Sequence, residues 1–507
     1  MQAPTPEATG HPRAPLGFTG TLNSIEAMHR LPVWIRGDFY RALELARRFN
    51  DLVVKPMSGE VDLKVMEDND YLPRDFLKKA NEWGLFTLWI PKMYGGKGMN
   101  MLSLYPFMEE VSSACAGLAN LIGAHYLGVS VLCSSCNMDI TNRVLRDVVK
   151  ENDRGRPCTI SLAWTEPDAG TDQVQAPLLP GAKVRTQATK TAGGYVVNGS
   201  KVFISSGHLS TWHMLICYED VLKPADTIVM LAVKTGMRGF TFGHKERKMG
   251  QKACVASELI FEDCFVPDEN VCFDREQVRR LGITARQAGL KLIDMFPAVT
   301  QPGVAAISTG IARAACEAAV RYAAEKKVAG KALINHEWVQ LVIADLYRNA
   351  VSSRAIYMEA TYAAGLLSMI RLLFNKAIFY LTLVTPGWFF TLFVSPLFRL
   401  GIVSHVYRKM NFEMTSPEDE RHMSGLGSLT KFTCSDLAML NCSLALDLMG
   451  ADGTRHDLGA EKLFRDAKLL QIYEGTNEVN RINLFSRHIA QVMPGVGVFE
   501  QGSGGER

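Results

Sequence analysis

The chain has 507 residues, 47% of them hydrophobic and 21% charged, so its length suits three or so domains with buried cores and excludes a disordered polymer. The 55 Lys and Arg stand against 52 Asp and Glu, a formal net charge of +3, and this near balance leaves no electrostatic footprint for nucleic acid. Eleven cysteines without a spacing framework suit a reducing compartment.

In chain order, residues 1–37 read as an extension, and Met1 to Gly20 within it holds Pro, Thr and Gly but no apolar core and few basic residues, so it reads neither as a secretory signal nor as a transit peptide. Residues 38–157 read as a helical domain: Phe39, Ala42, Leu43, Leu45, Ala46 and Phe49 recur at near-helical spacing, as do apolar residues from Leu118 to Leu132. Cys133-Ser134-Ser135-Cys136 is a lone C-x-x-C. With no second pair and no nearby His it reads as two small residues in a buried helix, and no metal is expected. From Thr159 the period shifts toward two, which predicts a central β domain over 158–274. Within it, Tyr195 to Ile204 with Asn198-Gly199 at its middle predicts a hairpin with a type I′ turn. After Asp274 an Ala-rich helical pattern returns, with Ile307, Ile311, Ala314 and Ala318 on one face. This predicts a C-terminal helical domain over 275–490, followed by a tail over 491–507.

An insert interrupts that last domain at about 363–425. Ala377 to Phe398 carries no charge and is just long enough to cross a hydrocarbon core. Pro386-Gly387 breaks it at the middle and Pro396 near the end, which predicts two short arms. Arg371 and Lys376 flank one side, and Arg399, Arg408 and Lys409 the other, as suits a hairpin dipping into one leaflet with Trp388 and Tyr380 at the interface. A buried oligomer interface and a single true span are the alternatives.

Two short segments carry chemistry. In Gln471-Ile472-Tyr473-Glu474-Gly475-Thr476-Asn477-Glu478, after Arg465 and Asp466, a carboxylate sits on a glycine-flanked turn between helical runs, placed to face a cleft where desolvation raises its pKa. Ser161 to Asp172, reading S-L-A-W-T-E-P-D-A-G-T-D, ends an apolar run in a turn whose hydroxyls and amides can hold a ring edge or a pyrophosphate. In this order, about 300 residues apart, the two resemble the acyl-CoA dehydrogenase family, with its flavin stretch T-E-P-x-A-G-S and its base in Y-E-G-T. Pro91 with Tyr94 to Gly98, Met249-Gly250-Gln251, Phe261-Glu262-Asp263 with Val266-Pro267, and Glu325-Lys326-Lys327 with Gly330-Lys331 extend the likeness. It covers roughly 38–362 and 425–490 and leaves the insert unexplained.

The resemblance implies an α+β multidomain fold with FAD between the central β domain and the C-terminal helical bundle. It implies FAD-dependent α,β-dehydrogenation of a fatty acyl-CoA thioester to a trans-2-enoyl-CoA, with Glu474 as the base, its own amide helping to polarise the thioester, and the flavin taking the β hydride. On the cofactor it places Leu162, Trp164, Thr165, Gly170 and Thr171, then Phe203, Ile204 and Ser205 where relatives read Trp-Ile-Thr or Trp-Ile-Ser. Lys326 stands where many relatives send an Arg to a neighbouring subunit's flavin, Ala329 replaces a Phe and Glu337 a Gln. Asp447 and Gly450 belong to a Q-x-x-G-G-x-G signature that reads D-L-M-G-A-D-G here, and Thr476 and Glu478 complete the cofactor set. Thr171, Gln301 and Gly475 are the substrate residues, Gln301 standing near where some relatives carry an Arg; Thr300 occupies the position that supplies the base in a few branches, so Glu474 has no rival. The implied partners are acyl-CoA, an electron-transfer flavoprotein or membrane quinone system, and further copies of the chain in a homodimer or homotetramer. The expected place is the cytoplasmic side of a membrane, peripheral or monotopic, or otherwise the cytoplasm. An acyl-CoA oxidase using oxygen is an alternative, as is a catalytically silent membrane-bound scaffold, suggested by Lys326 and Asp447.

Overall fold

The computed structural model describes residues 28–279, 284–367, 369–493 and 496–498, so most of the N-terminal extension and the end of the tail lie outside the described residues. Helices α1 (Val33–Phe49), α2 (Lys55–Glu67), α3 (Arg74–Glu82), α4 (Leu104–Ser112), α5 (Ala116–Ser134) and α6 (Met138–Asp153) come first. The stripe read from α1 is inward: Phe39, Ala42, Leu43, Ala46 and Phe49 are buried. Cys133 and Cys136, near the end of α5, are free thiols that burial pushes up to about 12.

Strands β1 (Ile160–Ala163), β2 (Gln187–Thr191), β3 (Gly194–Ser205), β4 (Trp212–Tyr218), β5 (Ile228–Lys234), β6 (Phe240–Lys245), β7 (Ala256–Pro267) and β8 (Val271–Phe273) form one sheet in the order β6-β7-β3-β2-β4-β5-β8, with β1 parallel to β4. All of β4 is buried because it is covered on both faces.

The expected Asn198-Gly199 turn is not one. Strand β3 runs straight through it, and the tight turn lies earlier, where Thr191 pairs with Gly194. The Asn198 side chain is held across the ladder by Asp263, donating to its carboxylate (3.1 Å) and accepting from its backbone amide (2.8 Å). Gly199 sits at a register shift, where an added Cβ would lie 2.7 Å from Thr186 Cα. Glycine serves close approach at a bulge, not reversal.

The chain then returns to helices: α7 (Ala285–Glu325), α8 (Glu337–Leu367), α9 (Lys376–Val384), α10 (Gly401–Met414), α11 (Pro417–Met449), α12 (Ala460–Leu470) and α13 (Asn477–Leu484). Ile307, Ile311, Ala314 and Ala318 of α7 are all buried, as their spacing predicts. Asn441 of α11 donates to the carbonyls of Ala312 (3.0 Å) and Leu346 (2.8 Å), tying α7, α8 and α11 together. By length and composition Ala116–Ser134 and Ala298–Glu325 could cross a membrane, but both are enclosed in the fold.

The insert forms the expected broken arms. Asn375 caps α9, Pro386-Gly387 ends it, and a helical stretch Gly387–Arg399 meets α10 at 88°. It is seated on α6: Asn142 donates to Ser395 Oγ (2.8 Å), Arg146 to Thr391 Oγ1 (2.9 Å), and the Met138 amide to Ser404 Oγ (3.0 Å). Away from α6, Leu381, Val384, Trp388, Leu392, Phe393 and Ile402 are exposed by 57–71%. One expectation fails here. Arg408 is buried and donates to the Gln277 carbonyl (3.0 Å), because it plugs the gap between the insert and the body instead of flanking the apolar arm.

Candidate active site

Helix α12 ends at Leu470, and the chain turns through Glu474 at φ 57° and Gly475 at φ 78° before Thr476 caps α13, its hydroxyl accepting from the Val479 amide. A left-handed Glu is unfavourable and must be held by its surroundings. Asn480, one turn into α13, donates its Nδ2 to the carbonyls of Gly475 (2.9 Å) and Thr476 (3.0 Å), and Gln301 from α7 donates to Asn480 Oδ1 (2.6 Å) and the Glu474 carbonyl (3.3 Å). Buried Lys431 of α11 donates to the Gly475 carbonyl (2.6 Å) and Asn477 Oδ1 (2.8 Å). The carboxylate itself accepts from Thr300 Oγ1 (2.9 Å). Desolvation lifts the Glu474 pKa above the ordinary carboxylate range, opposed by the Thr300 hydrogen bond and the Lys431 charge.

The facing wall begins where β1 ends. Its loop is braced by a buried ion pair: Lys201 Nζ lies 2.6 Å from Glu166 Oε1 and donates to the Trp164 carbonyl (2.8 Å), while the other Glu166 oxygen accepts the amides of Arg185 and Thr186. Asp172 accepts the amides of Gly170 (2.8 Å) and Gln173 (3.1 Å) and so closes the turn. On β3, a register shift between Lys201 and Ile204 releases Phe203 from the ladder at φ 59°, leaving its ring 59% exposed at the cavity.

Between these walls lies a cavity of about 400 Å³, within the usual range for a small-molecule site. Its apolar lining comes from α4, α5 and α7, including Leu104, Met108, Leu127 and Ile307. Of the residues singled out in the sequence it gathers Leu162, Trp164, Thr165, Gly170, Thr171, Phe203, Ile204, Ser205, Gln301, Glu474, Gly475 and Thr476. Lys326, Glu337, Asp447, Gly450 and Glu478 do not line it; all five are exposed, and Lys326 pairs instead with Asp452 (2.9 Å). The residues on the cavity fit the ring end of a flavin: uncharged hydroxyls at Thr165, Thr171 and Ser205 beside apolar Leu162, Ile204 and Phe203. The other five of the cofactor set, Lys326, Glu337, Asp447, Gly450 and Glu478, stand on the outer surface of the chain.

Three contributors escaped the sequence reading. Thr300 appeared there only as a position for a rival base, and Asn480 and Lys431 did not appear. The available signal was spacing: Ser428, Lys431 and Ser435 share one helical face, so Lys431 is a charge on a stripe that the structure buries.

Family models described as the N-terminal, middle and C-terminal domains of acyl-CoA dehydrogenase match residues 41–152, 161–264, and 287–366 with 394–489. The third match skips residues 367–393, which hold the first arm of the insert and the start of the second. A cyclohex-1-ene-1-carbonyl-CoA dehydrogenase from Geobacter metallireducens is 28% identical over 87% of this chain and 95% of its own length. Among solved structures, a chain from work on the electron transferring flavoprotein of Acidaminococcus fermentans is 26% identical with a TM-score of 0.68, covering 90% of this chain and 98% of that one. Butyryl-CoA dehydrogenase from Megasphaera elsdenii, 24% identical with a TM-score of 0.65 over the same shares, has the same fold.

Proposed function

Because the chain belongs to the acyl-CoA dehydrogenase family, we propose that it is an FAD-dependent enzyme that converts a fatty acyl-CoA thioester to its trans-2-enoyl-CoA. One observation carries this reading: the Glu474 carboxylate stands on the same cavity as the loop from Leu162 to Thr171. Glu474, as the carboxylate, accepts the α proton, and its raised pKa makes it a better base than a solvated Glu. Thr300 aims the carboxylate, and the apolar lining from α4, α5 and α7 takes the acyl chain and excludes water. Thr165, Thr171 and Ser205 would hold the flavin ring, which when bound supplies the acceptor for the β hydride. Anaerobic bleaching of the bound flavin, tested over acyl-CoA chain lengths, checks cofactor, reaction and substrate class together; yellow protein that no acyl-CoA bleaches would overturn the reading.

The fold shared with a chain from electron transferring flavoprotein work supports such a flavoprotein as the electron acceptor, and peroxide release on adding substrate in air would mark an oxidase instead. We assign the domains as 38–157, 158–274 and 275–490. The exposed positions of Lys326 and Asp447 support an assembly in which they face a partner's cofactor, and a monomer that keeps stoichiometric FAD would contradict it.

The insert extends the reading to a lipid surface. Its exposed apolar side chains need cover, and exposed Lys376, Arg399 and Lys409 lie where anionic headgroups would meet them. Flotation of the protein with anionic phospholipid vesicles tests this; protein that stays at the bottom of the gradient would leave the insert as an interface between chains.

A further inference from the structure

Glu474 holds the chemistry of this site on a positive-φ backbone that is unfavourable for a non-glycine residue, so whatever fixes that backbone sets how the carboxylate is presented. Asn480 and Gln301 are neutral donors to the turn. Lys431 is an enclosed amine held by α11, whose Nζ reaches the turn from a helix 44 residues away in sequence and carries a charge on the acid side of neutrality. Its second acceptor, Asn477, is locked in turn by Ser435, whose Oγ is 2.8 Å from Asn477 Nδ2, and by Asp436, which accepts from the same amide at 2.8 Å. The Lys431 end is therefore a fixed point, not a floating contact.

We propose that Lys431 is the positioning residue of the Glu474 turn: by binding the Gly475 carbonyl and the Asn477 side chain it fixes the left-handed backbone that presents the carboxylate, and its charge keeps that carboxylate ready to accept a proton. The proposal rests on the reading of Glu474 as the base. The charged groups around Lys431 are Glu474 on the turn, Asp436 on its own helix, and Glu478 and Arg481 on α13. Burial draws the ammonium down to about 7, with the three carboxylates opposing and Arg481 assisting. A methionine here would match the stem but leave the turn without its cation.

The test measures the base without turnover. A 3-thia-acyl-CoA, blocked at the β position by sulfur, exchanges its α hydrogen in heavy water, and mass spectrometry reads the rate against pH. Lys431→Met is expected to keep its flavin and to exchange roughly ten- to a hundredfold more slowly, as suits a misplaced group. Its acid limb should move to higher pH, because a carboxylate that loses a neighbouring cation gains proton affinity. Lys431→Gln returns donors without charge, so it should regain part of the rate and keep the displaced limb. Lowered thermal stability with exchange rate and acid limb unchanged in Lys431→Met would overturn the proposal, since a merely structural lysine predicts that. If Lys431→Met does not fold, an unmoved limb in Lys431→Gln overturns it alone. Glu474→Gln separates the two ideas: normal exchange in that variant sinks the base itself, whereas lost exchange there with a normal Lys431→Met sinks only the lysine.

Discussion

Around Glu474, groups that usually face water are enclosed: Lys431, Gln301, Asn477 and Asn480 are at most 2% exposed. Between Lys376 and Met410 the opposite holds, with large apolar side chains turned outward. Both regions go against ordinary sorting by polarity, and they differ in where compensation comes from. The buried polar groups find partners within the chain, each at a short distance. The exposed apolar ones meet one another in part, as Trp388 does Phe393 at 6.4 Å between ring centres, yet Leu381, Trp388 and Phe393 stay more than half open to solvent; under the proposed lipid contact that remainder is covered from outside. The proposed site of chemistry and the proposed site of attachment thus differ in whether the departure from the rule is already satisfied.

That contrast breaks most heavily at the insert. Leu381→Glu, Trp388→Glu and Phe393→Glu together leave the seat on α6 intact but remove three anchors, each worth roughly 1.5–3 kcal/mol on burial. Vesicle flotation should be lost while acyl-CoA still bleaches the flavin; flotation that persists would mean the arm does not meet lipid. On the inner side, Glu474→Gln keeps the shape but cannot take the proton, and stopped-flow bleaching should slow on the order of 10²–10⁴-fold with flavin retained. Next comes Lys201→Met, which strands the Glu166 carboxylate in the interior. Breaking such a pair costs about 3–5 kcal/mol, to be read by denaturant unfolding, and the flavin content should fall. Adding Glu166→Gln should recover much of the loss, because its amide oxygen can still accept from the Arg185 and Thr186 backbone and no charge then remains to be buried.

The smallest effect sharpens the contrast most finely. Glu474 must be ionised to act, so the rate falls as pH drops through its raised pKa, and the acid limb of kcat/KM should lie above the ordinary carboxylate value of about 4.3. Thr300→Val removes a hydrogen bond that favours the ionised form, so the limb should move to still higher pH. A limb that moves down would mean that Thr300 stabilises the neutral acid.

Much of this was legible in the sequence, and what was not has physical causes. The order of helix, strand and helix follows from periodicity, and the two chemical segments from local composition; both are short-range properties. The arms of the insert could be read because Pro386 acts locally on the backbone. Asn198-Gly199 was misread because the competing partners, Asp263 and Thr186, lie 65 and 14 residues away from Asn198 and from Ser200, respectively, in the bonds that hold that stretch. Arg408 was misplaced for a similar reason: charge near an apolar run suggests a headgroup until Gln277, 131 residues away, takes its hydrogen bonds. The cation behind Glu474 likewise depends on a fold that brings α11 to the turn.

Helix α6 does something that neither region does alone. Met138, Asn142 and Arg146, spaced four apart, form one edge that carries the insert, while on another edge Arg143 holds Asn270 in the turn before β8 (2.8 Å) and Asp147 grips the sheet through the Trp212 indole (2.9 Å) and Lys234 (2.7 Å). It is a strut with a load at each side, and Trp212 lies in the strand that pairs with β1, the strand leading into the Trp164 loop. If the insert is fastened from outside, these bonds should stiffen the strut, and slower amide exchange along residues 138–153 would register that the arms are engaged, with no label placed on the arms themselves.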